Sequence, residues 1–352
     1  MKKLLAFVLA AAMMLSLCAC VGGTASAGTP GTAEAPAKTE EPAKTEEPVK
    51  TEEPAAPAED ETVYHIGICQ LVQHVALDSA TLGFRERLTE LLGDHVEFDE
   101  QNAQGDSQTC ATICNQFVAD GADLILANAT PALQAAASAT ADIPILGTSI
   151  STYGVALGLD NFDGATGRNV SGTSDLAPLD EQAEMLIQLI PEAKNVGILY
   201  CSAEANSVYQ ADVVQAYLES KGLSVKVFTF TDSNDVATVT AAAVTECDAL
   251  YIPTDNTAAN NTELIRNVIV PAGVPAIVGE AGICAGCGIA ALSISYYDLG
   301  VATADMAYEI LVNGADVSTM QVRYAPNFEK LYNAEICAEL GITMPEDYAP
   351  IE

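Results

Sequence analysis

Seven short segments of the chain carry residues that could do chemistry together. They are Gln70-Leu-Val-Gln-His74, Asn128-Ala-Thr-Pro131, Gly147-Thr-Ser149, Gly172-Thr-Ser-Asp175, Cys201-Ser-Ala-Glu-Ala-Asn-Ser207, Pro253-Thr-Asp-Asn256 and Gly279-Glu280. Together they are rich in Ser, Thr, Asn and carboxylates, and several stand just before a run with helical spacing. A helix N-terminus with free N–H groups and a nearby hydroxyl favours an anion such as a carboxylate. A buried Asp or Glu opposite it favours an ammonium. Together these are the needs of a zwitterion such as an amino acid. For any one of these residues, capping a helix is the simpler reading. Converging on one cleft, the seven segments predict a binding site.

The elements that must position them alternate. Val63-Tyr-His-Ile-Gly-Ile-Cys69 reads as a buried strand, and Asp78 to Leu92 as a helix with Leu82, Phe84, Leu88 and Leu91 near helical spacing. Strand patterns recur at 96–98, 123–127, 143–146, 195–200, 224–230, 249–252, 275–278 and 289–294. Helical patterns fall between most of them. Such alternation predicts an α/β fold with parallel sheets covered on both faces. Two similar runs predict two doubly wound lobes. In open parallel sheets, ligands bind beyond the carboxyl ends of the strands, where the seven segments lie.

The N-terminal part is of another kind. MKKLLAFVLAAAMMLSLCAC has two lysines, then an apolar run too short to span a bilayer. It reads as a secretory signal, residues 1–19. Its end, Leu17-Cys18-Ala19-Cys20, resembles the lipobox of bacterial lipoproteins. That resemblance implies cleavage before Cys20, lipid attachment to it, and anchoring on the outer face of the cell membrane. Residues 20–61 then carry three Lys-Thr-Glu-Glu-Pro repeats, and from 24 on they have no aromatic and only one branched aliphatic residue, Val49, so little offsets the entropy of ordering them. They are expected to be an extended spacer.

The chain has 48 acidic against 14 basic residues, a formal net charge of −34. Such a charge argues against nucleic acid or an anionic surface as partner and favours a self-repelling monomer. Of ten cysteines, Cys18 lies in the signal and Cys20 directly follows it. Cys284-Ala-Gly-Cys287 is a lone CxxC, Cys110 and Cys114 are one helical turn apart, and the three histidines are scattered. A zinc site usually needs a second pair or His partners, so no metal is expected. A Cys284–Cys287 bridge and unpaired thiols both remain open. No P-loop or strand–GxGxxG–helix order is present, so no cofactor and no catalysis are expected.

At the strand ends the chain resembles the solute-binding lipoproteins of ABC importers, in the subgroup that binds tryptophan and tyrosine. The stretches that carry this are Gln73-His-Val-Ala-Leu-Asp78, Asn102-Ala-Gln-Gly-Asp106, Asn128-Ala-Thr-Pro131, Asn169-Val-Ser-Gly-Thr-Ser-Asp175, Glu204-Ala-Asn-Ser207, Tyr251-Ile-Pro-Thr-Asp-Asn256 and Tyr296-Tyr-Asp-Leu-Gly300. The chain departs from the subgroup at Val75, Thr148-Ser149-Ile150 and Ser295. The resemblance implies a type I periplasmic-binding-protein fold with three crossovers near 173, 293 and 320. Lobe 1 would be 63–172 plus 294–319, and lobe 2 would be 173–293 plus 320–352. It implies a small ligand in the cleft, hinge closure, and delivery to a permease driven by its ATPase. A sensing receptor of the same fold, or a binder of a sugar or nucleoside, is the alternative. Within this frame Thr130, Thr148, Thr173 and Ser174 are expected to hold the ligand carboxylate. Asp255 or Glu280 is expected to pair with the amino group. Gln73, His74, Asn128, Ser207 and Asn256 would frame the pocket, and Tyr153 would stack on an aromatic ligand.

Overall fold

The computed structural model describes residues 62–351. The signal, Cys20 and the acidic repeats lie outside the described residues. The first run of alternation gives β1 (Tyr64–Gln70), α1 (Val75–Leu92), β2 (Val96–Asn102), α2 (Ser107–Asp120), β3 (Leu124–Asn128), α3 (Thr130–Ala139), β4 (Ile145–Ile150), α4 (Tyr153–Leu157) and β5 (Val170–Ser174). The second gives α5 (Leu179–Leu189), β6 (Asn195–Cys201), α6 (Ala205–Ser220), β7 (Ser224–Phe230), α7 (Val236–Ala243), β8 (Ala249–Ile252), α8 (Asn256–Ala259), α9 (Thr262–Ala272), β9 (Ala276–Val278), α10 (Ala281–Gly286) and β10 (Ala290–Ser293). The chain ends with α11 (Tyr296–Leu311), β11 (Arg323–Tyr324), β12 (Glu329–Tyr332), α12 (Ala334–Leu340) and β13 (Ala349–Pro350).

The strands form two sheets, ordered β11-β5-β4-β3-β1-β2 and β13-β12-β10-β9-β8-β6-β7. Among the described residues, the β10–β12 pairing alone is antiparallel. β3, Leu-Ile-Leu-Ala-Asn, is buried throughout, as a central parallel strand covered on both faces must be. Helix ends follow local chemistry. The Asp106 side chain accepts from the Thr109 N–H at 2.6 Å to start α2, and Gly121, in the left-handed region at φ 74°, ends it.

The chain passes from the first sheet to the second after Ser174, returns after Ser293, and passes over again after Tyr324. The first and third crossings fall a few residues later than expected. Arg323 and Tyr324 pair in parallel with Thr173 and Ser174. The third crossing therefore follows residue 324 rather than 320, and Thr173 and Ser174 stay in the first sheet. α11 comes back from the second sheet and lies against α1. A Cβ at Gly300 would meet the Ala80 carbonyl, and one at Gly83 the Tyr297 carbonyl, so only glycine allows these helices to touch. That close approach fixes Tyr296, at the start of α11, beside the first crossing.

Candidate functional site

The carboxyl ends of both sheets face each other across a small, tight cavity. Its lining includes His74, Ser149 and Ser151 from the first lobe, Asn206, Asp255, Asn256 and Glu280 from the second, and Asp175 and Tyr296 from the crossings. No Lys or Arg is among its lining residues. Asn256 also borders a larger, more open groove of about 270 Å³, walled by Val72 and Pro131 on one side and Glu204 and Asp232 on the other. Two hydrogen bonds bridge the lobes here. His74 Nε2 lies 3.2 Å from Asn256 Oδ1, and Gln210 Nε2 donates to Ser151 Oγ at 3.2 Å.

The cavity's chemistry is set by atoms left without partners. Among the described residues, five buried side-chain atoms lack a hydrogen bond: His74 Nδ1, Asn128 Oδ1, Ser149 Oγ, Asp175 Oδ1 and Asn206 Oδ1. All but Asn128 belong to residues lining this cavity. Most buried polar atoms in folded proteins are satisfied, and an exception calls for a function. Ser149 is also strained. It adopts a left-handed φ of 56°, and the β4–β5 register shifts between Gly147 and Ile150. Such a bulge re-aims a side chain out of the strand's alternation.

Three of the four unmet atoms are acceptors. The Asn256 amide is oriented by its Nδ2, which donates to Glu204 Oε2 at 2.6 Å. Its Oδ1 therefore faces His74 as an acceptor, and Nε2 carries the hydrogen; with the ring uncharged, Nδ1 is left as an acceptor. Asp175 Oδ1 and Asn206 Oδ1 accept as well. Ser149 Oγ can give or take. A lining that mostly accepts, with carboxylates and no Lys or Arg, suits a ligand rich in donors, such as an ammonium.

The buried carboxylates differ in what they have left to offer. Both oxygens of Asp255 are occupied, by the Ala258 N–H at 2.7 Å and the Cys201 N–H at 2.7 Å. It caps α8, and burial followed by the charge of Glu204 pushes its carboxyl up. Glu280 likewise caps α10 with both oxygens, on the N–H groups of Gly282 and Ile283. Burial raises it too, while His74 and those N–H groups hold it back. Asp175 is different. One oxygen accepts from the Tyr296 hydroxyl at 3.0 Å and the other is unmet. Burial pushes it up to about 6, with the Ser151 and Tyr296 hydroxyls opposing and the charge of Glu280 adding. Asp175 closes the motif Asn169–Asp175 just past β5, and that position was the sequence signal for it.

The expected carboxylate-holding residues lie elsewhere. Thr173 Oγ1 meets Thr303 Oγ1 at 2.8 Å and Thr148 Oγ1 at 3.3 Å, a buried seam between the first sheet and α11. Ser174 Oγ donates to the Ser151 carbonyl at 3.0 Å. Thr130 is buried in the first turn of α3. Asn128 Nδ2 donates to the Leu77 carbonyl and to Thr81 Oγ1, tying α1 to β3. None of these five residues lines the cavity. Gln73 is exposed. Ser207 is buried beside Asp255 and supports its carboxyl. Tyr153 cannot stack on a ligand as expected. It is 1% exposed, stacks on Phe162 at 6.4 Å, and its hydroxyl lies 2.9 Å from the Gly147 carbonyl. His74, Asn256, Asp255 and Glu280 are thus the expected residues that the fold brings together. All eight described cysteines are free and buried.

Known proteins resemble this chain along most of its length. A tyrosine-binding protein of Clostridioides difficile (strain R20291) is 35% identical over 281 residues, which cover 79% of this chain and 81% of that one. The structure of an ABC domain from Streptococcus pneumonia in complex with L-Trp superposes with a TM-score of 0.79 at 33% identity, covering 83% of this chain and 100% of that one. A ligand-free, open structure of a substrate binding protein with adhesive properties, from Clostridium difficile, gives a TM-score of 0.63 at 37% identity, covering 82% and 99%. Other structural neighbours are type I periplasmic binding proteins, the fold of this chain. The ABC transporter substrate binding protein family matches residues 65–349, and the chain belongs to it.

Proposed function

We propose that this substrate-binding protein captures a free amino acid, in particular an aromatic one, in the cavity between its lobes. The observation that carries the reading is the set of four unmet polar atoms around one cavity, mostly acceptors, with an ionisable carboxylate and no Lys or Arg beside them. Asp175, rather than Asp255 or Glu280, takes the ammonium, because it alone of the three has an oxygen to give. Ser149 Oγ is the donor offered to the carboxylate. The relatives named for tyrosine and L-Trp support the same ligand class. Closure is a hinge motion held by the His74–Asn256 and Gln210–Ser151 contacts and by the ligand itself. The protein is held on the outer face of the membrane through Cys20 and delivers its ligand to the permease and its ATPase.

Titration calorimetry with L-tyrosine, L-tryptophan, a hexose and a nucleoside tests the ligand class. Saturable heat with an amino acid and none with the other two is the expected result. Binding of the sugar or nucleoside alone would overturn the reading.

A further inference from the structure

Glu204 stands in the second lobe, immediately before α6. It is buried, and it borders the larger groove but not the cavity. Both of its oxygens are taken by donors. Oε1 accepts from the Thr257 N–H at 2.9 Å and the Thr257 hydroxyl at 2.8 Å. Oε2 accepts from the Asn256 N–H at 3.1 Å, from Asn256 Nδ2 at 2.6 Å and, more loosely, from Asn206 Nδ2 at 3.4 Å. A carboxylate only accepts, so the Asn256 NH₂ is committed to it. Asn256 Oδ1 is then turned across the lobes to His74 Nε2 at 3.2 Å. The imidazole meets that oxygen with its N–H, and an uncharged ring has only one. The other nitrogen, Nδ1, is buried without a partner in a residue that lines the cavity.

We propose that Glu204 is a positioning residue for ligand choice: through Asn256 it decides which nitrogen of His74 carries the hydrogen when the lobes meet, so that Nδ1 accepts from the ligand's ammonium. This deepens the amino-acid reading and rests on it. With the lobes apart, His74 has lost Asn256, and its hydrogen can sit on either nitrogen. Closure fixes the hydrogen on Nε2 and makes the inner nitrogen an acceptor, in the same cavity as the free oxygen of Asp175. An ammonium has three hydrogens to place and can serve both. A ligand that presents an acceptor to Nδ1 sets lone pair against lone pair. Asn206 does not depend on this chain, because its Nδ2 also donates to the Thr254 carbonyl at 2.9 Å. The effect of Glu204 therefore falls on His74, a residue of the other lobe.

The test reads that hydrogen directly. Nitrogen NMR of ring-labelled histidine tells the two nitrogens of an imidazole apart, and His74→Asn identifies the signal among the three histidines. Wild type, Glu204→Gln, Glu204→Leu and Thr257→Val are compared with saturating L-tyrosine, beside the calorimetric affinity for it. Wild type should carry the hydrogen on Nε2. In Glu204→Leu the Asn256 NH₂ loses its acceptor and turns to His74 Nε2, which drives the ring hydrogen to Nδ1. Glu204→Gln brings an NH₂ among donors and should move part of the population the same way; it carries the test if Glu204→Leu does not fold. Affinity should fall roughly 3- to 10-fold with the loss of one acceptor for the ammonium. Thr257→Val takes one donor from the same carboxylate and spares Asn256, so the hydrogen should stay on Nε2 and affinity near that of wild type. A wild-type hydrogen on Nδ1, one that stays on Nε2 in the Glu204 variants, or an equal loss of affinity in Thr257→Val would each overturn the proposal and leave the ligand class standing. Wild type that binds neither L-tyrosine nor L-tryptophan would overturn the amino-acid reading and this proposal with it.

Discussion

Replacing Asp175 by Asn should act in opposite directions on ligand affinity and on the stability of the empty protein. The shape and the Tyr296 contact are preserved, while the charge is removed. In the cavity the free oxygen of Asp175 faces an ammonium, and a hydrogen bond between charged groups contributes about 1.5–3 kcal/mol. That corresponds to a loss of roughly 10- to 100-fold in affinity at pH 7.5. In the closed, empty form the same carboxylate is a burden. Its carboxyl is raised from 3.8 to about 6, chiefly by burial. At ~1.36 kcal/mol per unit, the ionised form costs about 3 kcal/mol above pH 6. The folded state keeps its proton up to about 6, whereas the unfolded chain loses it near 4. The folded state thus binds more protons in that window, and stability falls as pH rises through it. Asn removes this slope and should raise the melting temperature of the empty protein near neutrality. Affinity has the reverse slope, rising through about pH 6 as the carboxylate forms. Calorimetric titration with L-tyrosine at pH 5, 6 and 7.5, beside thermal unfolding without ligand, reads both effects. Wild-type affinity in Asp175→Asn at pH 7.5 would refute the assignment of the ammonium to this residue.

Asp255→Asn should behave differently. Asn has one acceptor where Asp255 serves two N–H donors, so one stays unmet and stability should drop by ~1–3 kcal/mol in thermal unfolding, with any loss of binding following from that. Thr173→Val removes a buried contact to Thr303, neither of which lines the cavity. It should cost about 1 kcal/mol of stability and leave calorimetric affinity for the ligand unchanged. Cys20→Ala should abolish incorporation of labelled fatty acid and release the protein from membranes; acyl labelling that persists would exclude lipidation at that residue.

Much of this arrangement was legible in the residues. Apolar runs separated by helical spacing marked the strands and helices, and strand ends rich in polar residues marked the face on which the cavity lies. The side chains within those ends were harder to read. Thr148, Thr173 and Asp175 all sit near strand ends, yet strand alternation sends the two threonines toward Thr303 on α11, a helix more than a hundred residues away in the chain. Only the fold shows which face α11 covers. Asp255 and Glu280 carried the same sequence signal for an ammonium partner as for a helix cap, and the cap claims both oxygens of each. The aromatic ring of Tyr153 found a protein partner, Phe162, that local spacing did not announce. The helical run after Asp255 also broke in two, at Asn260-Asn261, because α8 ends after one turn beside the cavity.

The unmet atoms around the cavity have a consequence for traffic through the transporter. When the lobes shut on no cargo, His74, Ser149, Asp175 and Asn206 are withdrawn from water with nothing in exchange. At about 1 kcal/mol for each such atom, four oppose vacant closure by ~4 kcal/mol, about a thousandfold in population. The right cargo removes that opposition; a molecule that leaves the atoms unmet does not. A permease that recognises its carrier by the spacing of the two shut lobes would then seldom engage an empty one. Fidelity of delivery is in this way written into atoms that never touch the permease.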